Sequence, residues 1–264
     1  DKCFVFADEA FFAGNRQQAA SLKTLVTSEQ IFVEPKGVDG FMAPKFFRLV
    51  IATNDEHVIH AESDDRRFLV LEVDAGEYNN SQDYFGPIIE QWNSGGASAL
   101  FHWLRGAYWR NKLESGEWTA EKRPKTRALE AQKDLSLAAP EMVVLNMLRE
   151  GEPACEFMPE GECIFVSTRL LAEAARLGTK DEKALGDALR AIAVHDAKGK
   201  PCNVRRSFGP NDQRRGFILP PLSVARQKWE AHKGRKVEWP TDVNDWASDS
   251  GYSPRRAASE PTPF

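Results

Sequence analysis

The stretch "CFVFADEAFFAG", Cys3 to Gly14, drives a hydrophobic run straight into two adjacent carboxylates, Asp8 and Glu9. A buried strand ending this way delivers both side chains to the carboxyl edge of an α/β sheet, where ligands of such sheets bind. The first carboxylate of such a pair can hold Mg²⁺ through water, and the second can polarise a water that attacks a phosphoryl group. The plainer reading is a strand followed by a helix cap. Further on, "FFRLVIATN" is a second apolar run, ending in Asn54. An amide at the same edge can contact a γ-phosphate or orient the lytic water, although an Asn taken singly is more often a turn former. In "ESDDRRFLVLEV", Arg66 and Arg67 lead into another strand-like run. Arginine there can stabilise charge on a phosphoryl group bound by a neighbouring subunit. Its plainer alternative is a surface ion pair with Asp64 or Asp65, worth about 0–1 kcal/mol.

Two basic features suit nucleic acid. Between the two strands, "IFVEPKGVDGFMAPKFF" reads as two strand-like pieces around a turn that carries Lys36, with Lys45 just beyond. A lysine at a hairpin tip can reach a phosphate, and Lys45 can support it; alone, Lys36 reads as a solvated turn lysine. From Lys198 to Arg215 there are six Lys or Arg and one acid, with Arg205, Arg206, Arg214 and Arg215 clustered on two strands. Packing or protein contact is the alternative use of that hairpin.

The elements that must position these residues follow from period and punctuation. Residues 1–73 alternate strand-like runs ("CFVF", "IFVE", "FFRLVIAT", "RFLVLEV") with polar connections and a helical stretch from Arg16 to Thr27, an α/β pattern. The nearly continuous run from Phe46 to Thr53 is expected of a strand covered on both faces of a mostly parallel sheet. Residues 81–139 turn helical, with Trp92, Leu100, Trp103 and Leu104 spaced to make one apolar face. The character changes near Pro140, where a domain boundary is expected. Three amphipathic helices follow: "EMVVLNMLREG", "STRLLAEAARLG" with Gly178 as its stop, and "TKDEKALGDALRAIAVH", where Thr179 and Glu182 have capping-box spacing. Then comes a hairpin, "CNVRRSFGPNDQRRGFIL", turning at "FGPND". Three helices and a hairpin describe a winged helix over 140–232, closed by a helix with Trp229 on its interior face. Its recognition helix, Asp181 to His195, is not basic, because Lys183 and Arg190 are offset by Asp181, Glu182 and Asp187. The tail 233–264 has four prolines, five basic and five acidic residues, and disorder is expected there.

At 264 residues and 42% hydrophobic, the chain can bury a substantial core, and two domains are expected. A net charge of −4 argues against a wholly basic nucleic-acid coat and leaves room for local patches. There is no run of eighteen apolar residues and no signal peptide, which predicts a soluble, cytoplasmic protein without membrane contact. Cys3, Cys155, Cys163 and Cys202 form no CxxC pair, so free thiols are expected. His57, His60, His102, His195 and His232 share no ligand spacing, and Trp103, Trp109 and Trp118 read as core rather than base-stacking platforms. The opening Asp, in place of Met, carries the expectation of further sequence upstream.

The order of these motifs (acidic pair after a strand, basic hairpin, strand ending in Asn, Arg-Arg-Phe turn) resembles the superfamily 3 helicases. It is most similar to the C-terminal helicase region of phage and prophage primase–helicase proteins, in "DEAFFAG", "EPKGVDGF", "RLVIATN" and "DDRRFLVLEV", with "PKTRALEAQ" resembling the linker. The resemblance covers residues 1–140 well and the rest loosely. It implies an AAA+/RecA-like P-loop NTPase core over 1–139, followed by the winged-helix domain. It further implies ATP and Mg²⁺ as cofactors, Asp8 and Glu9 as Walker B with Asp8 on Mg²⁺ through water, and Asn54 as sensor 1. Arg67 would be the arginine finger, acting in trans, with Arg66 as second choice; Lys36 would be the DNA-contacting hairpin lysine. The implied partners are single-stranded DNA and five further copies in a hexamer, with a primase domain possible upstream, in a bacterial cell and of phage or prophage origin.

One departure bears on the chemistry. No GxxxxGK[ST] occurs: "GGASALFHW" lacks the lysine and "GAYWRNK" lacks the ending. The family places this loop before Walker B, so it is expected ahead of Asp1, and the chain alone is expected to hydrolyse ATP little or not at all. The alternative reading is a winged-helix module for origin recognition or assembly without its own ATPase; a primase–polymerase would need its acidic residues upstream.

Overall fold

The structure is a computed structural model that describes residues 4–9, 16–74, 76–78, 81–115 and 124–247. Cys3, Trp118 and the end of the tail, 248–264, lie outside the described residues. The chain divides into two compact units. One runs to Ala61 and continues over Asp65–Gln132; the other holds Glu62–Asp64 and Lys133 onward.

The first unit opens with β1 (Phe4–Asp8), α1 (Arg16–Thr27), β2 (Gln30–Val33), β3 (Phe41–Pro44) and β4 (Arg48–Ala52). β1 and β4 pair in parallel, while β2 and β3 form a separate antiparallel hairpin. The period of two divides the parallel pair into faces. Val5, Ala7, Leu49 and Ile51 are half-buried, and Leu49 and Ile51 pack on a small core of Leu22 from α1 with Ile59, Ala61 and Leu129. The opposite face carries Phe4, Phe6 and Val50, which are 60%, 57% and 41% exposed. The sequence predicts a strand covered on both sides; among the described residues only one side is covered.

"RFLVLEV" also departs from expectation. It is extended, with Phe68 and Val70 against the core, but carries no ladder. Alternation alone gives it a strand's appearance, and no neighbouring strand is there to pair with it among the described residues. The Val70 carbonyl instead accepts the Thr126 hydroxyl at 2.6 Å. The loop before it is clasped by Gln132, whose Oε1 accepts the N–H groups of Val58 (2.8 Å) and Ile59 (3.2 Å) while Nε2 donates to the Glu56 carbonyl at 2.6 Å.

Helices follow: α2 (Gln82–Gln91), α3 (Ala97–Leu104), α4 (Ala107–Glu114) and α5 (Arg127–Leu135). α2 and α3 are joined through a wide turn at Trp92–Gly96, where Gly95 has φ +103° and breaks the helical path. Trp92, Leu100, Trp103 and Leu104 lie on these helices, yet all four are exposed, so the apolar face is uncovered among the described residues. Trp103 at 55% exposure is therefore no core residue here.

The second unit is built from α6 (Ala139–Glu150), β5 (Phe157–Glu160), β6 (Cys163–Ser167), α7 (Thr168–Ala174), α8 (Thr179–Ile192), β7 (Asn203–Gly209), β8 (Asp212–Leu219) and α9 (Leu222–Lys233). The strands form one antiparallel sheet in the order β5-β6-β8-β7. The β5–β6 hairpin escapes the sequence reading because Pro159 and Gly161 interrupt two short runs. Ile164, Val166, Phe217 and Leu219 on one sheet face meet Leu145, Leu148, Leu185, Leu189, Ile192 and Trp229 from the helices, all essentially inaccessible. Gly216 allows β8 to approach β6: a Cβ there would sit 2.0 Å from the Val166 carbonyl oxygen. α8 is capped by Gly178 with no side-chain cap, one residue ahead of the expected Thr179 box. Cys155, Cys163 and Cys202 are free thiols, and burial raises the Cys155 pKa to about 12, an inert core thiol.

Residues 234–247 correct the expectation of a disordered tail. They form a strap along the second unit: Trp246 donates Nε1–H to the Pro220 carbonyl at 2.7 Å, and the Ala247 N–H donates to Gly151 at 2.9 Å. Three side chains that precede the strap in sequence anchor it. Arg226, buried on α9, donates to Leu148 O at 2.9 Å and to Val243 O at 2.7 Å, and stacks on Trp239 at 5.1 Å. It thereby satisfies a last-turn carbonyl of α6 and ties the strap to it. Asp134 pairs with both Arg149 and Arg235. Glu230 accepts from Lys236 Nζ (2.7 Å), the Val237 N–H (3.0 Å) and Trp239 Nε1 (3.1 Å).

Burial alone would raise the Glu230 pKa, but those three donors outweigh it and hold the carboxyl below the ordinary carboxylate value. A depressed folded pKa contributes stability that is fully present above the unfolded value, near 4.5, and is lost as pH falls through the folded value. Acid titration below about pH 4.5 is therefore expected to loosen the strap, followed by Trp239 fluorescence, with Glu230→Gln flattening that part of the profile. An unchanged acid transition in Glu230→Gln would remove the anchor role.

Candidate functional site

The parallel register fixes the geometry of the acidic pair. Asp8 lies opposite Ala52 across the β1/β4 ladder, and the Glu9 N–H donates to the Ala52 carbonyl at 2.8 Å, extending the pairing by one residue. Because the strands are parallel, their carboxyl ends share one edge. Asp8, Glu9 and, two residues past β4, Asn54 are therefore brought to the same rim, and all three are exposed.

Glu9 has φ +52°, left-handed backbone that an L-residue with a Cβ adopts at a cost of order 1 kcal/mol. β1 itself ends one residue earlier, at Asp8. Neighbouring Thr53 and Asp55 make a local turn, with the Asp55 N–H donating to Thr53 Oγ1 at 3.1 Å. Turn formation and placement at the sheet edge coincide at Asn54.

The two arginines are treated differently. Asp65, 5% exposed, accepts both the Arg67 N–H at 2.8 Å and Arg67 Nη1 at 2.9 Å, so the Arg67 guanidinium is held beside a buried carboxylate while remaining about one-third exposed. Arg66, its neighbour, is exposed. Pairing of Arg67 with Asp65 realises the plainer alternative, and it also restricts the side chain's rotamers.

The lysines separate as well. The Val38 N–H donates to the Pro35 carbonyl at 3.1 Å, and Gly37 has φ +78°, the left-handed third position of a type II turn, which puts exposed Lys36 at the apex of the β2–β3 hairpin. Lys45 instead donates Nζ to Leu25 O at 2.7 Å and Val26 O at 2.8 Å, capping the end of α1. This makes Lys45 a helix cap and leaves Lys36 alone at the tip. Lys45→Ala is expected to lower stability by about 1–3 kcal/mol, read by thermal melting, through loss of a charged donor to two carbonyls. Lys36→Ala is expected to leave the melt unchanged and weaken single-stranded DNA binding; the reverse pattern would exchange the two roles.

In the second unit the arginine cluster splits by strand alternation. Arg205 faces Arg215 across the ladder, and Arg206 faces Arg214. Arg206 is bound to Glu160 through Nε (2.5 Å) and Nη2 (3.2 Å), and Arg214 is paired with Asp212. The sequence treats the four as equivalent. Only the cross-strand register and the Glu160 of a hairpin missed by the sequence reading tell them apart.

Comparison with known proteins gives limited matches. No curated protein matches significantly. An apo structure of the NrS-1 C terminal region (305–718) and an A form apo structure of the same region are similar at 12% and 13% identity, each with a TM-score of 0.47, covering 83% of this chain. They are covered over 55% and 54% of their own lengths, so the chain spans about half of the solved structures it matches. Among the described residues no helix is long and apolar enough to cross a membrane. Residues 1–67, the stretch that holds Asp8, Glu9, Lys36, Asn54 and Arg67, match a family of unknown function, DUF5906.

Proposed function

We propose that this chain is the Walker B-to-C-terminus portion of an ATP-driven DNA helicase of the superfamily 3 type, with an AAA+/RecA-like core followed by a winged helix. The observation that carries the reading is the parallel β1/β4 pairing, which gathers Asp8, Glu9 and Asn54 at one sheet edge. The exposed Phe4, Phe6 and Val50 face is consistent with further layers of the same domain, because parallel sheets are ordinarily covered on both faces. The three helices and the strand order β6-β8-β7 are what a winged helix requires, with β5 and α9 added.

In this reading Asp8 would hold Mg²⁺ through water, Asn54 would orient a water against the γ-phosphate, and Glu9 would take its proton as the water oxygen bonds to the γ-phosphorus and the bridging P–O bond breaks to release ADP. The donor fits an ion held chiefly by phosphates and water: Asp8 supplies one exposed carboxylate at the sheet edge. Bound Mg²⁺ supplies neutralisation of the phosphate charge. A finger arginine comes from the next protomer of a homo-hexamer, and Lys36 grips single-stranded DNA in the channel.

The test is ATP hydrolysis, with and without single-stranded DNA, by the longer polypeptide that joins a phosphate-binding loop to this chain. DNA-stimulated turnover that is lost in Asp8→Asn is expected; equal turnover in Asp8→Asn removes the motor. A second reading, a binding or assembly module without ATPase, is favoured by the well-filled core of the second unit. Oligomers and DNA complexes that form without any nucleotide turnover would select it.

A further inference from the structure

We propose that a cleft of about 380 Å³ in the second unit, bordered by the β7–β8 hairpin and the first turns of α7 and α8, receives a nucleic-acid backbone, with Arg215 on its lining and Arg205, paired with Arg215 across the ladder beside it, as the phosphate contacts. The proposal rests on the DNA-binding part of the reading above and not on its ATPase part. None of the residues lining the cleft is apolar; they include Ser167, Thr168, Arg169, Asn203, Gln213 and Arg215. Small-molecule pockets are predominantly apolar with a few polar groups, whereas protein–DNA interfaces are polar, wet and positively charged. The lining therefore suits a hydrogen-bonding ligand, and Arg215, which has no carboxylate partner among the described residues, offers it a contact for an anionic group.

Strand alternation decides which arginines serve. Asn203, Arg205, Ser207, Gln213 and Arg215 share the hairpin face that turns toward the helices, because Asn203 pairs with the core residue Phe217. Arg205 and Arg215 are exposed and have no carboxylate partner among the described residues. Asn203 Oδ1 accepts Arg215 Nε at 2.5 Å, which orients the guanidinium beside Arg205 and lowers the ordering cost of binding. Arg206 and Arg214 lie on the other face, already neutralised by Glu160 and Asp212, although Arg214 also borders the cleft.

Three further charges meet the cleft, one of them the Asp212 carboxylate that neutralises Arg214. Arg169 is paired with Glu173 at 2.7 Å, and Glu182 presents a carboxylate, which suits acceptance from a base amino group better than contact with phosphate. The outer face of α8 is close to neutral: Lys180, Lys183 and Arg190 stand among Asp181 and Asp187, and Arg190 is paired with Asp187 at 2.6 Å. Contact is therefore led by the hairpin rather than by α8.

The test is fluorescence anisotropy with duplex and single-stranded DNA over a salt series, on the full chain carrying Lys36→Ala so that the first unit's hairpin does not contribute. R205Q/R215Q is expected to weaken binding tenfold or more and to reduce the log–log salt slope by about 1.8 on duplex and about 1.4 on single strands, about 0.9 and about 0.7 for each phosphate no longer neutralised. R206Q, which lies outside the cleft lining, is expected to leave the slope unchanged, and circular dichroism of both variants separates misfolding from a weakened grip on phosphate. The proposal is overturned by R205Q/R215Q binding like its parent on both probes, by the larger slope change per arginine falling on R206Q, or by a chain that ignores DNA and binds polyglutamate through the same two arginines.

Discussion

Arg67→Ala is expected to reduce DNA-stimulated ATP turnover by about 10³-fold or more in the polypeptide that carries the phosphate-binding loop, the range set by arginine fingers acting across subunits. The same substitution is expected to lower stability, because it strips a partner from Asp65, a carboxylate that is 5% exposed. Two effects are thus entangled, and a melt alone would be misread as loss of function. Asp65→Asn with Arg67→Ala removes the carboxylate's charge together with the guanidinium, so turnover that stays low in the stable double variant belongs to the missing guanidinium. Arg66, exposed and adjacent, provides the contrast: if Arg66→Ala causes the collapse and the Asp65/Arg67 double variant does not, the finger is Arg66. Mixing is the decisive measurement. Protomers lacking the finger and protomers carrying Asp8→Asn each fail alone, but a mixed ring contains interfaces with both parts intact and recovers turnover. No recovery on mixing would end the trans assignment.

Glu9→Gln is expected to lower turnover by about 10²–10⁴-fold while nucleotide binding persists, the usual contribution of a positioned general base. The substitution preserves side-chain length and the local backbone problem, since glutamine at φ +52° is no less strained than glutamate. The Glu9 N–H bond to the Ala52 carbonyl is untouched, so the β1/β4 pairing and the melt should be unchanged. Loss of chemistry without loss of fold is the signature, read by single-turnover kinetics beside a nucleotide-binding titration. Normal turnover in Glu9→Gln would assign the left-handed residue to chain direction alone.

Local order is what could be read without coordinates. The helix Arg16–Thr27 has the observed bounds because Ala19, Leu22 and Val26 repeat at helical spacing and face the core. The turn that exposes Lys36 needs only Gly37 in left-handed backbone. The acidic pair after an apolar run was legible for the same reason: hydrophobic period and terminating residues lie within a few positions of one another. The tail misled because strap anchoring depends on Arg226 and Glu230, residues of the preceding helix that composition of the tail does not include.

The sequence by itself determined which chemical groups the chain owns and in what order: Asp8 and Glu9, then Lys36, Asn54, the Arg66–Arg67 pair and the four hairpin arginines. Tertiary structure alone decided which of them share a place. Parallel pairing over more than forty intervening positions, Phe4 opposite Arg48, brings Asn54 to the edge that holds Asp8; the α1 carbonyls claim Lys45; Glu160 and Asp212 separate Arg206 and Arg214 from Arg205 and Arg215. The physical reason is range. Backbone propensity and periodicity act over one or two turns, whereas hydrogen bonding and charge pairing are settled by whichever partners the folded chain brings within about 3 Å.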